Sequence, residues 1–130
     1  IKGVDAELQG DLTVHGDISN RGVCTAWVNF DGTTSPPTIR DSYNVYDVVQ
    51  VAAGQYEIIF DDSMDNEAYT VTLTGEGAAS STYLRGGGYI AYTGSVNSFQ
   101  VSTSRVSASV NNTLFEFVEN SIHVFGGKSI

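Results

Sequence analysis

Residues 8–19 read LQGDLTVHGDIS, one six-residue unit written twice, as LQGDLT and then VHGDIS. Each copy runs aliphatic, variable, Gly, Asp, aliphatic, hydroxyl. The phase extends outward: glycine at Gly10, Gly16 and Gly22, aspartate at Asp5, Asp11 and Asp17, a hydroxyl at Thr13, Ser19 and Thr25. A fixed period with aliphatic residues in phase is the pattern of β-solenoids and fibrous β-shafts. A single-chain β-helix of this kind needs about three such units per coil, and several coils, to enclose an interior. Two clear copies supply barely one coil. An isolated strand pair is marginal in water, so the unit needs partners. Three copies around a common axis would give each aliphatic row a partner row. The repeat therefore predicts a homotrimeric shaft end over residues 1–21, the alternative being an arm packed on its own domain.

From residue 22 onward the chain changes character. Short alternating runs are punctuated by Gly, Asn, Asp and Ser, and no helical periodicity persists for a full helix. In VCTAWVNF, Cys24, Ala26, Val28 and Phe30 fall on one face and Thr25, Trp27 and Asn29 on the other. Cys24 is expected to be a buried free thiol. YNVYDVVQV, then AAG, then QYEIIF predict a hairpin that turns at Gly54, with Tyr56, Ile58 and Phe60 sharing a face. AYTVTLTG places Tyr69, Val71 and Leu73 together, and GYIAYTG, SFQVST, RVSASV, LFEFV and SIHVFG are further strands. About eight or nine short strands at near-regular spacing predict an all-β fold, an antiparallel, jelly-roll-like β-sandwich over residues 22–130. Pro36 and Pro37 belong in a loop or at an edge, since neither can donate to a ladder.

Charge narrows the partners. Fifteen acidic against six basic residues give a formal net charge of −9, which repels phosphate backbones and anionic headgroups. Neither nucleic-acid binding nor membrane insertion is expected, the latter because no apolar run is long enough to span a bilayer. One cysteine excludes an internal disulfide. An Ile at position 1 suggests a fragment or processed product.

The motifs that could carry chemistry are few. DDSMDNE, residues 61–67, alternates Asp61, Ser63, Asp65 and Glu67 as the first ligands of an EF-hand do. Its sixth position is Asn66 rather than Gly and its twelfth is Thr72, so a turn whose side chains satisfy local N–H groups is the simpler reading. His15 and His123 have no Cys, His or carboxylate at ligand spacing, although three copies of His15 could meet on a trimer axis. No nucleophile elbow is present, and the GGG at residues 86–88 lacks the Lys and strand-to-helix context of a phosphate loop. No cofactor is implied and no catalytic role is expected. Residues 75–98 differ from the rest, with tyrosines set among Ser, Gly and Asn, a recognition composition. Tyr83, Arg85, Tyr89, Tyr92 and Asn97 are the expected ligand face, against the alternative that these tyrosines pack between subunits.

Four stretches carry a resemblance: AWVNFDG, IRDSYNV, QYEIIFDDSMDNEAYTV and SIHVFG. Together they resemble a module of bacteriophage tail fibres and related receptor-binding proteins. There an A-W-V-N-F-x-G strand precedes an R-x-S-x-N-V segment, a Y-x-V-x-F strand, a Met-containing turn and a Y-x-V strand. Ala26, Trp27, Val28, Asn29, Phe30, Gly32, Arg40, Ser42, Asn44, Val45, Tyr56, Phe60, Met64, Tyr69 and Val71 match it, and Ile58 departs from it. The unit LTVHGDIS is likewise similar to L-T-V-x-G-x-I repeats that precede fibre tips. Residues 75–110 match no part of the module. The resemblance implies a homotrimeric tip on a virion, outside the cell, that contacts other tail proteins and a bacterial surface glycan or protein. A purely structural collar or trimerisation cap is the alternative. A depolymerase would need carboxylates in a groove, commonly on a long solenoid body, which this chain is too short to hold.

Overall fold

A computed structural model describes residues 7–16, 22–76, 83–84, 88–91, 94–107, 113–114 and 116–129. Within 76–93 and 104–115 the description covers strand pairing alone. The described residues form strands and turns, with no helix. The strands are β1 (Cys24–Asp31), β2 (Thr38–Tyr43), β3 (Val45–Ala52), β4 (Gln55–Phe60) and β5 (Tyr69–Glu76). They continue with β6 (Tyr83–Leu84), β7 (Gly88–Ala91), β8 (Ser98–Ser107), β9 (Thr113–Leu114) and β10 (Glu119–Gly126).

One sheet has the order β2-β1-β10-β5, antiparallel throughout. The other is built on β3-β4-β8, and the long β8 also pairs with the short β6, β7 and β9. The two sheets form a β-sandwich because alternation gives each an apolar inner face. Ala26, Val28 and Phe30 of β1 and Ile122 and Val124 of β10 meet Val48, Tyr56, Ile58, Phe60, Phe99 and Val101 from the other sheet. Phe30 and Tyr56 pack edge to face across the layers, with ring centroids 5.1 Å apart. Phe60, Tyr69 and Phe99 form a second aromatic group at 5.5–5.9 Å. Each large side chain so buried contributes about 1.5–3 kcal/mol.

The expected run over residues 43–51 is two strands rather than one. Asn44 interrupts it with a φ of 52°, a left-handed conformation that asparagine tolerates better than most residues. Its amide donates to the carbonyls of Thr25 and Asp62 and accepts from the Asp62 N–H at 2.7 Å. That corner carries the chain from β2 in one sheet to β3 in the other. Strand β2 itself was not expected, since an edge strand reading TIRDSY has no apolar alternation. SFQVST and RVSASV lie largely on the single strand β8, which ends at Ser107. Of LFEFV, Leu114 lies on β9 with Thr113, and Phe117 is buried beyond it. Hairpin β3–β4 turns at Gly54 as expected, with φ +69°.

Cys24 also differs from expectation: it is half-buried, its thiol donating to the Ala26 carbonyl at 3.1 Å. The β1–β10 register shifts between Cys24 and Ala26, so Cys24 stands opposite Phe125 while Ala26 stands opposite Val124. A bulge of this kind changes the face of the next residue. Cys24 therefore sits on the outward side with Phe125, not in the core with Ala26.

The segment 61–67 is a turn sealed against the C-terminal residues. Met64 is buried and its N–H donates to Val96 O; the N–H groups of Asp65 and Asn66 donate to Gly127 O. Gly127 has a φ of +78°, and a Cβ there would stand 3.0 Å from the Met64 sulfur. Only glycine fits both demands.

Candidate functional site

Inward alternation on β1 and β10 forces the intervening residues outward, and the pairing then lines them up. Trp27 stands opposite Tyr43 of β2 on one side and His123 of β10 on the other; His123 in turn stands opposite Thr72 of β5. Tyr43 is 47% exposed, His123 is exposed and Trp27 is half-buried. The next pair along the sheet is Phe125, 37% exposed, opposite Thr70. The outer face of the four-stranded sheet thus carries an aromatic row bordered by threonine hydroxyls.

A polar cluster flanks this row along the strands, where Asn29 stands opposite Asp41 and Ser121. The β1–β2 register shifts between Asn29 and Phe30, pairing Asn29 with Asp41 and Phe30 with Ile39, so Arg40 is the extra residue of a bulge. Its guanidinium donates to Asn29 Oδ1 at 3.1 Å and to the Val118 carbonyl at 2.7 Å. The carboxylates of Asp31 and Glu119 lie 3.7 and 3.5 Å away. Asn29 Nδ2 completes the net by donating to Glu119 and to Ser121 Oγ. Asp31 is held below the usual carboxylate range by the hydroxyl and N–H of Thr33, with Arg40 adding a smaller attraction. Exposed pairs of this kind contribute little to stability. They fix side chains in place.

The residues expected to bind ligand from their composition are distributed differently. The backbone of Tyr83 lies in β6 opposite Ser107, and that of Tyr89 in β7 opposite Ser102. Arg85 and Tyr92 lie outside the described residues. Asn97 is exposed, but its carbonyl accepts from the Phe60 N–H and its Oδ1 accepts from the Ser63 hydroxyl at 2.7 Å. It joins the 61–67 turn to the loop before β8. The row Tyr43–Trp27–His123 was not assembled from the sequence, since its members lie far apart in the chain. The available signal was alternation, which turned Trp27 and His123 outward.

In the acidic turn, Asp62 pairs with Lys128 at 2.8 Å and Asp65 accepts from the Ser129 N–H. Among the described residues no group of three or more His, Cys, Asp or Glu converges on a metal position. No helix among them is long and apolar enough to cross a membrane.

Two further surfaces are apolar and open. Residues 7–16 of the arm form no strand and are exposed throughout, with Leu8 at 61%, Leu12 at 66% and Val14 at 43%. The arm is therefore not packed on its own domain over these residues. The edge strand β3 exposes Tyr46, Val49 and Val51.

No family model, curated protein or solved structure matches the chain.

Proposed function

We propose that the chain is the tip of a bacteriophage tail fibre: a homotrimer on the virion, outside the cell, that attaches to a bacterial surface receptor. The observation that carries this reading is the arm. Leu8 recurs six residues on as Val14, and Leu12 as Ile18, yet Leu8, Leu12 and Val14 stand 43–66% exposed in the single chain. Exposed aliphatic rows with a fixed period need covering, and a threefold bundle of identical arms, forming the short β-shaft, covers each row with its own copy. The tail-fibre-like motifs support the same reading independently. Trimeric presentation also multiplies weak contacts, because three sites on one rigid body bind with avidity.

Within this proposal residues 75–98 are a recognition segment, with Tyr83, Arg85, Tyr89, Tyr92 and Asn97 as its ligand contacts on compositional grounds. No catalytic role is proposed. The test is binding of the fluorescently labelled full chain to a panel of bacterial strains. Strain-selective adhesion is the expected result. Trimers that bind no cells but bind other tail proteins would point to the structural cap or collar instead.

A further inference from the structure

We propose that the outward face of the four-stranded sheet is a platform for an uncharged oligosaccharide, with Tyr43, Trp27 and His123 as its stacking row. The inference rests on the adhesion reading and names a ligand class for it, on residues distinct from the 75–98 segment. Geometry is the first support. Tyr43, Trp27 and His123 stand in register on the neighbouring strands β2, β1 and β10. Strand spacing puts the three rings in a row roughly 10 Å long, enough for more than one sugar ring. Aromatic faces suit the C–H face of a sugar while their polar edges, with Thr70 and Thr72 on β5, meet its hydroxyls.

Among the described residues the exposed aliphatic side chains avoid this face. Apart from the half-buried Cys24, outward positions on β1, β10 and β5 hold aromatic, hydroxyl, amide and acidic side chains. The exposed aliphatics Leu8, Leu12, Val14, Val49 and Val51 lie instead on the arm and on β3, where Tyr46 is exposed beside them. Contacts between copies of one chain are richer in apolar surface than other interfaces, so the aliphatic surfaces of the arm and β3 suit a second copy. Charge selects among sugars. Asp41, Asp31 and Glu119 border the row, and Arg40 is already engaged with Asn29, Val118 and two of those carboxylates. With a net charge of −9 over the whole chain, an acidic glycan is repelled and a neutral one is not.

Trp27 is the sole tryptophan, so its emission reports on the row directly. The full chain is titrated with neutral hexose and N-acetylhexosamine oligosaccharides and with uronate-bearing counterparts. The expected result is a saturable change in Trp27 emission with a neutral series, at least tenfold weaker binding in Tyr43→Ala and His123→Ala, and no response to the acidic series. Silence across the neutral panel, undiminished binding in both variants, or preference for the acidic series overturns the proposal. Loss of the trimer in both variants also overturns it, making the face a contact between copies. Strain binding separates the two readings. Wild-type adhesion by both variants removes this platform and leaves the fibre tip standing, whereas a wild-type chain that adheres to no strain removes the fibre tip.

Discussion

The phenol of Tyr56, on β4, donates to the carbonyl of Gly32 at 2.9 Å, tying one sheet to the loop that leaves the other. The contact leaves no room for a side chain on that glycine. A Cβ at Gly32 would stand 2.3 Å from Tyr56 Oη and 2.8 Å from its Cζ, and Tyr56 is fully buried, so its rigid ring cannot yield. Gly32→Ala is expected to cost about 2–4 kcal/mol from overpacking and loss of the hydrogen bond. Tyr56→Phe, which leaves the Gly32 carbonyl unpaired, should cost about 1–2 kcal/mol. Urea unfolding midpoints measure both, and an alanine variant as stable as the wild type would refute the packing described.

The same phenol makes stability sensitive to alkali. Burial, aided by the charges of Glu116 and Asp31, pushes the Tyr56 pKa up to about 12. In the unfolded chain it ionises near 10, so the unfolded state releases the proton first as pH rises. The contribution of neutral Tyr56 is whole below about pH 10 and is lost between about 10 and 12. Unfolding midpoints compared at about pH 9 and pH 11 should fall less in Tyr56→Phe than in the wild type. Equal falls would contradict the assignment.

At the other end of the sandwich, Asp65 is held below the ordinary carboxylate range by the N–H of Ser129. A depressed folded-state value means this tie is fully present above about pH 4 and loosens as pH falls through the lower folded value. The Ser129 amide resonance should therefore titrate with a midpoint below that of a free aspartate. A midpoint at the free value would show that the tail is not held this way. Met64→Ala, which empties the buried position against Gly127, should cost about 2–4 kcal/mol in denaturant unfolding.

These elements differ in how far the sequence revealed them. Inward positions were legible wherever alternation held: Ala26, Val28 and Phe30, or Tyr56, Ile58 and Phe60, follow the period of two and are buried. Alternation no longer predicts the buried face where a bulge or a left-handed residue breaks that period. Asn44 split an apparent strand, a bulge moved Cys24 to the outside, and another made Arg40 an extra residue on β2. The aromatic row was hidden for a further reason. Pairing Trp27 with both Tyr43 and His123 needs the sheet order β2-β1-β10, and no local pattern carries strand order. The Tyr-rich segment stands out by composition alone.

The arm offers a variant that separates assembly from folding. Leu8 and Leu12 are exposed in the single chain, so Leu8→Asp with Leu12→Asp should change the stability of the sandwich itself by no more than about 0.5 kcal/mol. In a threefold shaft the same charges meet their own copies, and association should weaken at least a hundredfold. Sedimentation across a concentration series reads the second effect and urea unfolding the first. An unchanged assembly would mean these rows do not face one another.

The most direct measurement is the molecular mass of the chain in solution, by light scattering, with and without residues 1–21. A mass three times the 13.9 kDa of one chain, falling on removal of the arm, is the predicted result. A monomer in both forms would contradict the account.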